Sequence, residues 1–132
     1  MFVASGLGPF SGQATHFKHY APEVTYALER YQFEADRHFT VVDARLTERR
    51  YLLGDHYTVA DMSLWGWARL LPFIVGEDGW NRFPNVARLV REISSRPAAE
   101  RALSVLKAHE FKTEIDGETR SHMYQHLIST RT

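Results

Sequence analysis

Seven histidines, a set of aromatic rings and one arginine are the side chains of this 132-residue sequence best placed to do chemistry. His16 and His19 are three residues apart and His122 and His126 four apart, so on a helix each pair shares a face. A zinc-type site needs further ligands, and the sequence supplies neither a cysteine nor a His-Glu-x-x-His pattern. The histidines therefore read as surface or pocket groups, and no metal is expected. No Ser/His/Asp arrangement is legible in the spacing. Neither a Gly-x-Ser-x-Gly elbow nor a Gly-x-x-x-x-Gly-Lys loop occurs. The glycine-rich run Gly6-Leu7-Gly8-Pro9-Phe10-Ser11-Gly12 follows no strand and lacks a lysine. Pro9 also removes one N–H that a phosphate cradle would use. The run is expected to be a bend between helices with close backbone packing.

Phe10, Phe17, Tyr20, Tyr26, Tyr31, Trp65 and Trp67 can line an apolar pocket or fill a core, and Tyr31 and Trp65 suit the core better. Phe10, His16 and Phe17 lie on the stretch expected to be irregular, where side chains are freer to face a cleft. Arg30 sits beside Tyr31 at the edge of an apolar stripe. It either snorkels to solvent or presents its guanidinium fork to a carboxylate ligand, and periodicity alone does not separate the two.

The elements that must position these groups read as helices. Val24, Ala27, Leu28, Tyr31, Ala35, Phe39, Val42 and Leu46 step by three and four, one buried stripe on a helix from about Val24 to Leu46. After a turn at Leu52-Leu53-Gly54, Thr58 and Asp61 make a capping box with Tyr57 and Met62 as its hydrophobic staple. The helix they start runs to about Leu71–Ile74, where Pro72 kinks or ends it. Gly76 to Arg82 reads as a loop. Pro84 opens a helix with Val86, Leu89, Val90 and Ile93 at i, i+3, i+4 and i+7, and Pro97 opens another. The pattern fades after Lys107, leaving a polar tail over 108–132 with a short helix expected from Glu118 to Ile128. The fold expected is all-α, a bundle of antiparallel helices over 1–107.

Composition sets outer limits. Sixteen Lys and Arg balance sixteen Asp and Glu, so no global field attracts nucleic acid or an acidic membrane. Arg45, Arg49 and Arg50 form a local basic group best read as cations near a helix C-terminus. The lack of cysteine removes disulfides and thiol nucleophiles and fits a reducing compartment. With no signal-peptide pattern and no apolar run of spanning length, a cytoplasmic, soluble protein is expected.

Two segments resemble the C-terminal domains of glutathione S-transferases: Tyr51-Leu52-Leu53-Gly54-Asp55 through Thr58-Val59-Ala60-Asp61, and Phe83-Pro84-Asn85-Val86 on to Ser95-Arg96-Pro97-Ala98. The fold implied is the helical bundle of that family. A narrower likeness, to its bacterial Nu-class, Ure2-related branch, lies upstream. It covers Gly6-Leu7-Gly8-Pro9 to Gln13, His19-Tyr20-Ala21-Pro22-Glu23 and Tyr26-Ala27-Leu28-Glu29-Arg30-Tyr31, with Phe111-Lys112-Thr113-Glu114 and Arg120-Ser121-His122-Met123 in the tail. The resemblance implies a homodimeric, glutathione-dependent disulfide reductase with transferase chemistry. It implies that Arg30 contacts glutathione, and that Phe10, Gln13, His16 and Phe17 belong to the second-substrate pocket.

The family's thioredoxin-like N-terminal domain, which holds most of the glutathione, is missing from these residues. Met1-Phe2-Val3-Ala4-Ser5-Gly6 is similar to the middle of the family's first long helix. A truncated product, a short gene model or an isolated domain is therefore expected, inactive by itself. A protein-assembly module and a small-molecule binding domain are the alternatives.

Overall fold

In the computed structural model, which describes residues 1–109 and 116–124, the glycine- and proline-rich start is helical and not a bend. Val3–Leu7 form a π-helical turn running directly into α1 (Gly8–His19), with the Gly8 N–H bonded to the Val3 carbonyl. This corrects the expectation of an irregular segment, and the reason is steric. The wider turn relieves the clash that a proline ring makes with the carbonyl four residues back, here that of Ser5. Close backbone packing is present: a Cβ on Gly8 would lie 2.9 Å from Trp67 Nε1 and 3.0 Å from the Val3 carbonyl.

The apolar stripe folds as α2 (Thr25–Arg45). It packs against α1 (Gly8–His19) and against two later helices, α4 (Leu71–Val75) and α6 (Pro84–Ser94). Ala35, Phe39, Val42 and Leu46 are buried, whereas Val24 at the head of the stripe is exposed. Tyr51 and Gly54 then close a turn by exchanging both backbone hydrogen bonds, at 2.8 and 3.1 Å. Gly54 takes φ 119°, a conformation open to glycine and strained for other residues.

α3 (Val59–Ala68) starts on Thr58, with the capping box in place. Thr58 Oγ1 accepts from Ala60 N (3.3 Å) and Asp61 Oδ2 accepts from Thr58 N (2.8 Å). Asp61 is fully buried, and its other oxygen accepts from Leu52 N at 2.8 Å, so one carboxylate anchors both a helix start and the turn before it. The ring of Tyr57 rests against Tyr51 and under the guanidinium of Arg96, while Met62, its expected staple partner, is half exposed.

Pro72 stands in the first turn of α4, where its missing N–H costs little. The stretch expected as a loop contains one helical turn, α5 (Gly79–Arg82), anchored because Trp80 packs on the core. α6 buries Val86, Leu89, Val90 and Ile93, the face read from the sequence. α7 (Pro97–Lys107) and α8 (Gly117–Met123) complete the described helices. By internal contacts the chain divides into units Met1–Pro97 and Ala98–Thr132. Phe111 to Glu114, His126 and the expected end of the tail helix lie outside the described residues.

The core of the first unit joins Phe39 and Leu46 to Leu64, Leu71, Ile74, Val86, Leu89 and Ile93. Each such side chain contributes about 1.5–3 kcal/mol by leaving water. Polar groups fix how the helices meet. Lys18 Nζ and His19 Nε2 donate to the Phe73 carbonyl (3.2 and 3.0 Å) and Gln32 Nε2 donates to that of Ile74 (3.0 Å). The open C-terminal end of α4 is thereby capped from both α1 and α2.

Candidate functional site

Phe10, Gln13 and Phe17 fall at i, i+3 and i+7 of α1 and so share a face. Phe17 stacks on Tyr31 of α2, with centroids 5.4 Å apart and planes within 4°. Phe10 lies 6.2 Å from Tyr31 and 5.0 Å from the His38 ring, and Phe2 meets His38 at 5.1 Å. Five rings from two helical segments thus form one aromatic wall, at spacings favourable for ring–ring contact. Gln13 is exposed on the same face. His16 meets Phe17 edge-on at 5.0 Å and Tyr20 at 5.9 Å, and so stands among the aromatics of its own helix. Tyr26 is exposed, while Tyr31, Trp65 and Trp67 pack against the core. Trp65 Nε1 donates to Ser94 Oγ at 2.9 Å.

Beside this wall stands a charged group that sequence reasoning missed. Glu34 is nearly buried, and both its oxygens are engaged. Oε1 lies 3.4 Å from Arg30 Nη1, and Oε2 receives both Nε (2.9 Å) and Nη2 (2.8 Å) of Arg37. Both arginine side chains remain about half exposed, at 51%. The hydrogen bond from Arg37 holds the Glu34 carboxyl below the usual range, against the opposing effect of burial. His38, buried, donates from Nδ1 to the Glu34 carbonyl at 2.7 Å. A signal was present in the sequence. Glu34 and His38 interleave with Ala35, Phe39 and Val42 at three- and four-residue steps, so both occupy core-facing positions.

A concavity lies at the chain start, between it, α2 and α3. It is a groove of about 550 Å³ lined by Phe2, Val41, Val42, Leu52, Leu53 and Val59 among others. None of Phe10, Gln13, His16 or Phe17 lines it. Arg45 at its edge donates to the Leu52 carbonyl at 3.1 Å, and Arg50 pairs with Glu92 at 2.8 Å. These two cations therefore serve the turn that follows α2. Among the described residues no group of three His, Asp or Glu side chains is gathered as a metal would need. No described helix is long and apolar enough to cross a membrane.

The architecture is that of an all-α bundle in which a buried carboxylate, Asp61, anchors the start of α3 and the first two helices share an aromatic face. The chain belongs to the glutathione S-transferase C-terminal domain family, whose model matches residues 25–92, and its likeness is to the Nu-class, Ure2-like branch. Disulfide-bond oxidoreductase YfcG of Escherichia coli is 38% identical over 106 residues, covering 74% of this chain and 45% of that protein. A glutathione transferase family member from Pseudomonas fluorescens, solved with two glutathione bound, matches with a TM-score of 0.72 at 38% identity. The match covers 78% of this chain and 48% of that one. The transferase URE2P6 of Phanerochaete chrysosporium, in complex with oxidized glutathione, matches at 0.73 and 34% identity over 79% of this chain and 49% of that one. The chain spans about half the length of these relatives.

Proposed function

We propose that this chain is the helical, second-substrate half of a glutathione-dependent disulfide reductase and transferase of the Nu type. One observation carries the reading: the half-exposed guanidinium of Arg30 stands next in sequence to Tyr31, whose ring stacks on Phe17. A cation suited to a carboxylate and an apolar wall suited to a second substrate thus stand on adjoining faces of α2. The relatives reported above, named for disulfide oxidoreduction or solved with glutathione, support it. In this reading Arg30 contacts glutathione, and Phe10, Gln13, His16 and Phe17 face the second substrate. The protein acts in the cytoplasm as a homo-oligomer, and the exposed Phe2, Val41 and Leu53 around the groove support self-association.

Glutathione itself brings the thiol, but its thiolate needs an environment that lowers its pKa and positions its target, which the family's thioredoxin-like domain supplies and these helical residues do not. The chain by itself is therefore expected to show no glutathione-dependent turnover. The test is reduction of a small mixed disulfide by glutathione with the pure chain present. A rate at the uncatalysed background is expected, and robust turnover would refute the assignment as an inactive half. Light scattering of the same sample checks association, and a strictly monomeric profile at high concentration removes that part of the reading.

A further inference from the structure

The Glu34 cluster holds two guanidinium groups against one carboxylate, which leaves a positive surplus on an exposed helix face. Arg30 spends one terminal nitrogen on Glu34, and Arg37 spends Nε and one terminal nitrogen. A guanidinium carries five N–H donors, so both retain donors for a ligand. Glu34 is itself fixed, because its side chain is only 11% exposed and its backbone carbonyl accepts from the buried His38. Two flexible cations are thereby tied to a rigid point, which lowers the rotamer entropy lost when an anion binds. Phe17 and Tyr31 continue the same region as apolar surface.

We propose that Arg37 is a second guanidinium for the ligand that Arg30 meets, and that Glu34 is the positioning residue holding both. The ligand class is a short peptide carrying two carboxylates. This rests on the reading of Arg30 given above, and adds two residues to it. The forks take the carboxylates, and the aromatic wall takes the less polar middle of the peptide. A small inorganic anion satisfies the charge but gains nothing from the wall.

The experiment follows the Nε–Hε signals of Arg30 and Arg37 in the isotopically labelled 132-residue chain during titration with glutathione disulfide, each half of which carries two carboxylates. Inorganic phosphate and esterified glutathione, which lacks free carboxylates, are run in parallel. Both signals are expected to move along one binding curve with glutathione disulfide, and hardly at all with the ester. Arg37→Ala and Glu34→Gln are each expected to weaken binding roughly three- to tenfold, as for charge-assisted contacts partly screened by water. Glu34→Asp should restore part of the loss, and the Arg30 signal in Glu34→Gln should broaden or shift without ligand.

Movement of Arg30 alone, with Arg37→Ala binding normally, overturns this inference and leaves the Arg30 reading standing. Movement of neither overturns both. Equal responses to phosphate and to glutathione disulfide overturn the peptide class. If Glu34→Gln fails to fold, the exposed Arg37→Ala decides the question.

Discussion

The Oδ1 atom of Asp43 in α2 accepts from the backbone N–H of Asn85 at 2.8 Å, and so caps the first turn of α6 from 42 residues away. It also accepts from Val86 N at 3.0 Å, while Asn85 Nδ2 donates to Oδ2 at 3.1 Å. Pro84 has no N–H, and Ala87 N bonds to the Phe83 carbonyl, so every orphan donor of the first turn of α6 is accounted for. The favour is returned at the same, C-terminal end of α2. Arg88 of α6 donates to the carbonyls of Leu46 (3.2 Å), Arg49 (2.8 Å) and Arg50 (3.1 Å). Asp43→Ala is expected to lower stability by about 1–2 kcal/mol, with Asp43→Asn losing less because an amide oxygen still accepts. Urea unfolding midpoints at constant slope check this.

Asp61 should matter more than its partner in the capping box. Thr58→Ala removes one weak acceptor and is expected to cost about 1 kcal/mol. Asp61→Ala strands the N–H groups of both Leu52 and Thr58 and opens a buried site, at about 2–4 kcal/mol. Similar losses for the two variants would show that the Leu52 contact contributes nothing.

Acid should loosen the first unit through Glu34 and Glu92. The Tyr51 hydroxyl, 2.6 Å from Glu92 Oε1, and Arg50 hold the Glu92 carboxyl below its ordinary 4.5, as Arg37 does for Glu34. A folded-state value lowered in this way adds stability that is present above the unfolded value. That stability is lost as pH falls through the folded value, so the loss begins near pH 4.5 and continues below it. Unfolding free energy measured from neutral pH downward should fall in this window, and the fall should be shallower in Glu92→Gln and in Glu34→Gln. Tyr51→Phe should also flatten it, since its hydroxyl is the largest cause of the Glu92 shift.

Two helical glycines should respond to alanine with opposite signs. At Gly66 nothing lies within 4 Å of the added methyl, so Gly66→Ala should stabilise by about 0.5–1 kcal/mol through helix propensity. At Gly8 the methyl meets Trp67 and the Val3 carbonyl, so Gly8→Ala should destabilise despite the same propensity gain. Thermal midpoints of the pair decide it.

Where local chemistry dominates, the sequence is a good guide. Thr58 with Asp61, and Pro84 ahead of Val86, Leu89, Val90 and Ile93, are short-range patterns whose outcome depends on little else. The segment from Gly6 to Gly12 misleads because glycine and proline preferences are local, whereas their use here is set by His38 and Trp67 far along the chain. The aromatic members of the candidate site are visible as residue types, but not their order. Phe17 finds Tyr31 only through the crossing of α1 and α2. Arg30 could be singled out at once, whereas the core-facing register of its nearly buried partner Glu34 was legible but its two ion pairs were not. Asp43 and Arg88 were silent, being ordinary charged residues until α2 and α6 are brought together.

The π-helical turn at Val3–Leu7 works as a gear as well as an accommodation for Pro9. One residue of an α-helix is about 100° of rotation, so the extra residue held in this turn sets the angular phase of everything on its N-terminal side. Phe2 reaches the ring of His38 in that phase, and a rotation of about 100° would carry it off that contact. Deleting a single residue from this stretch would keep its helical character while turning its aromatic contact out of line. The aromatic wall is therefore sensitive here to residue count more than to residue identity.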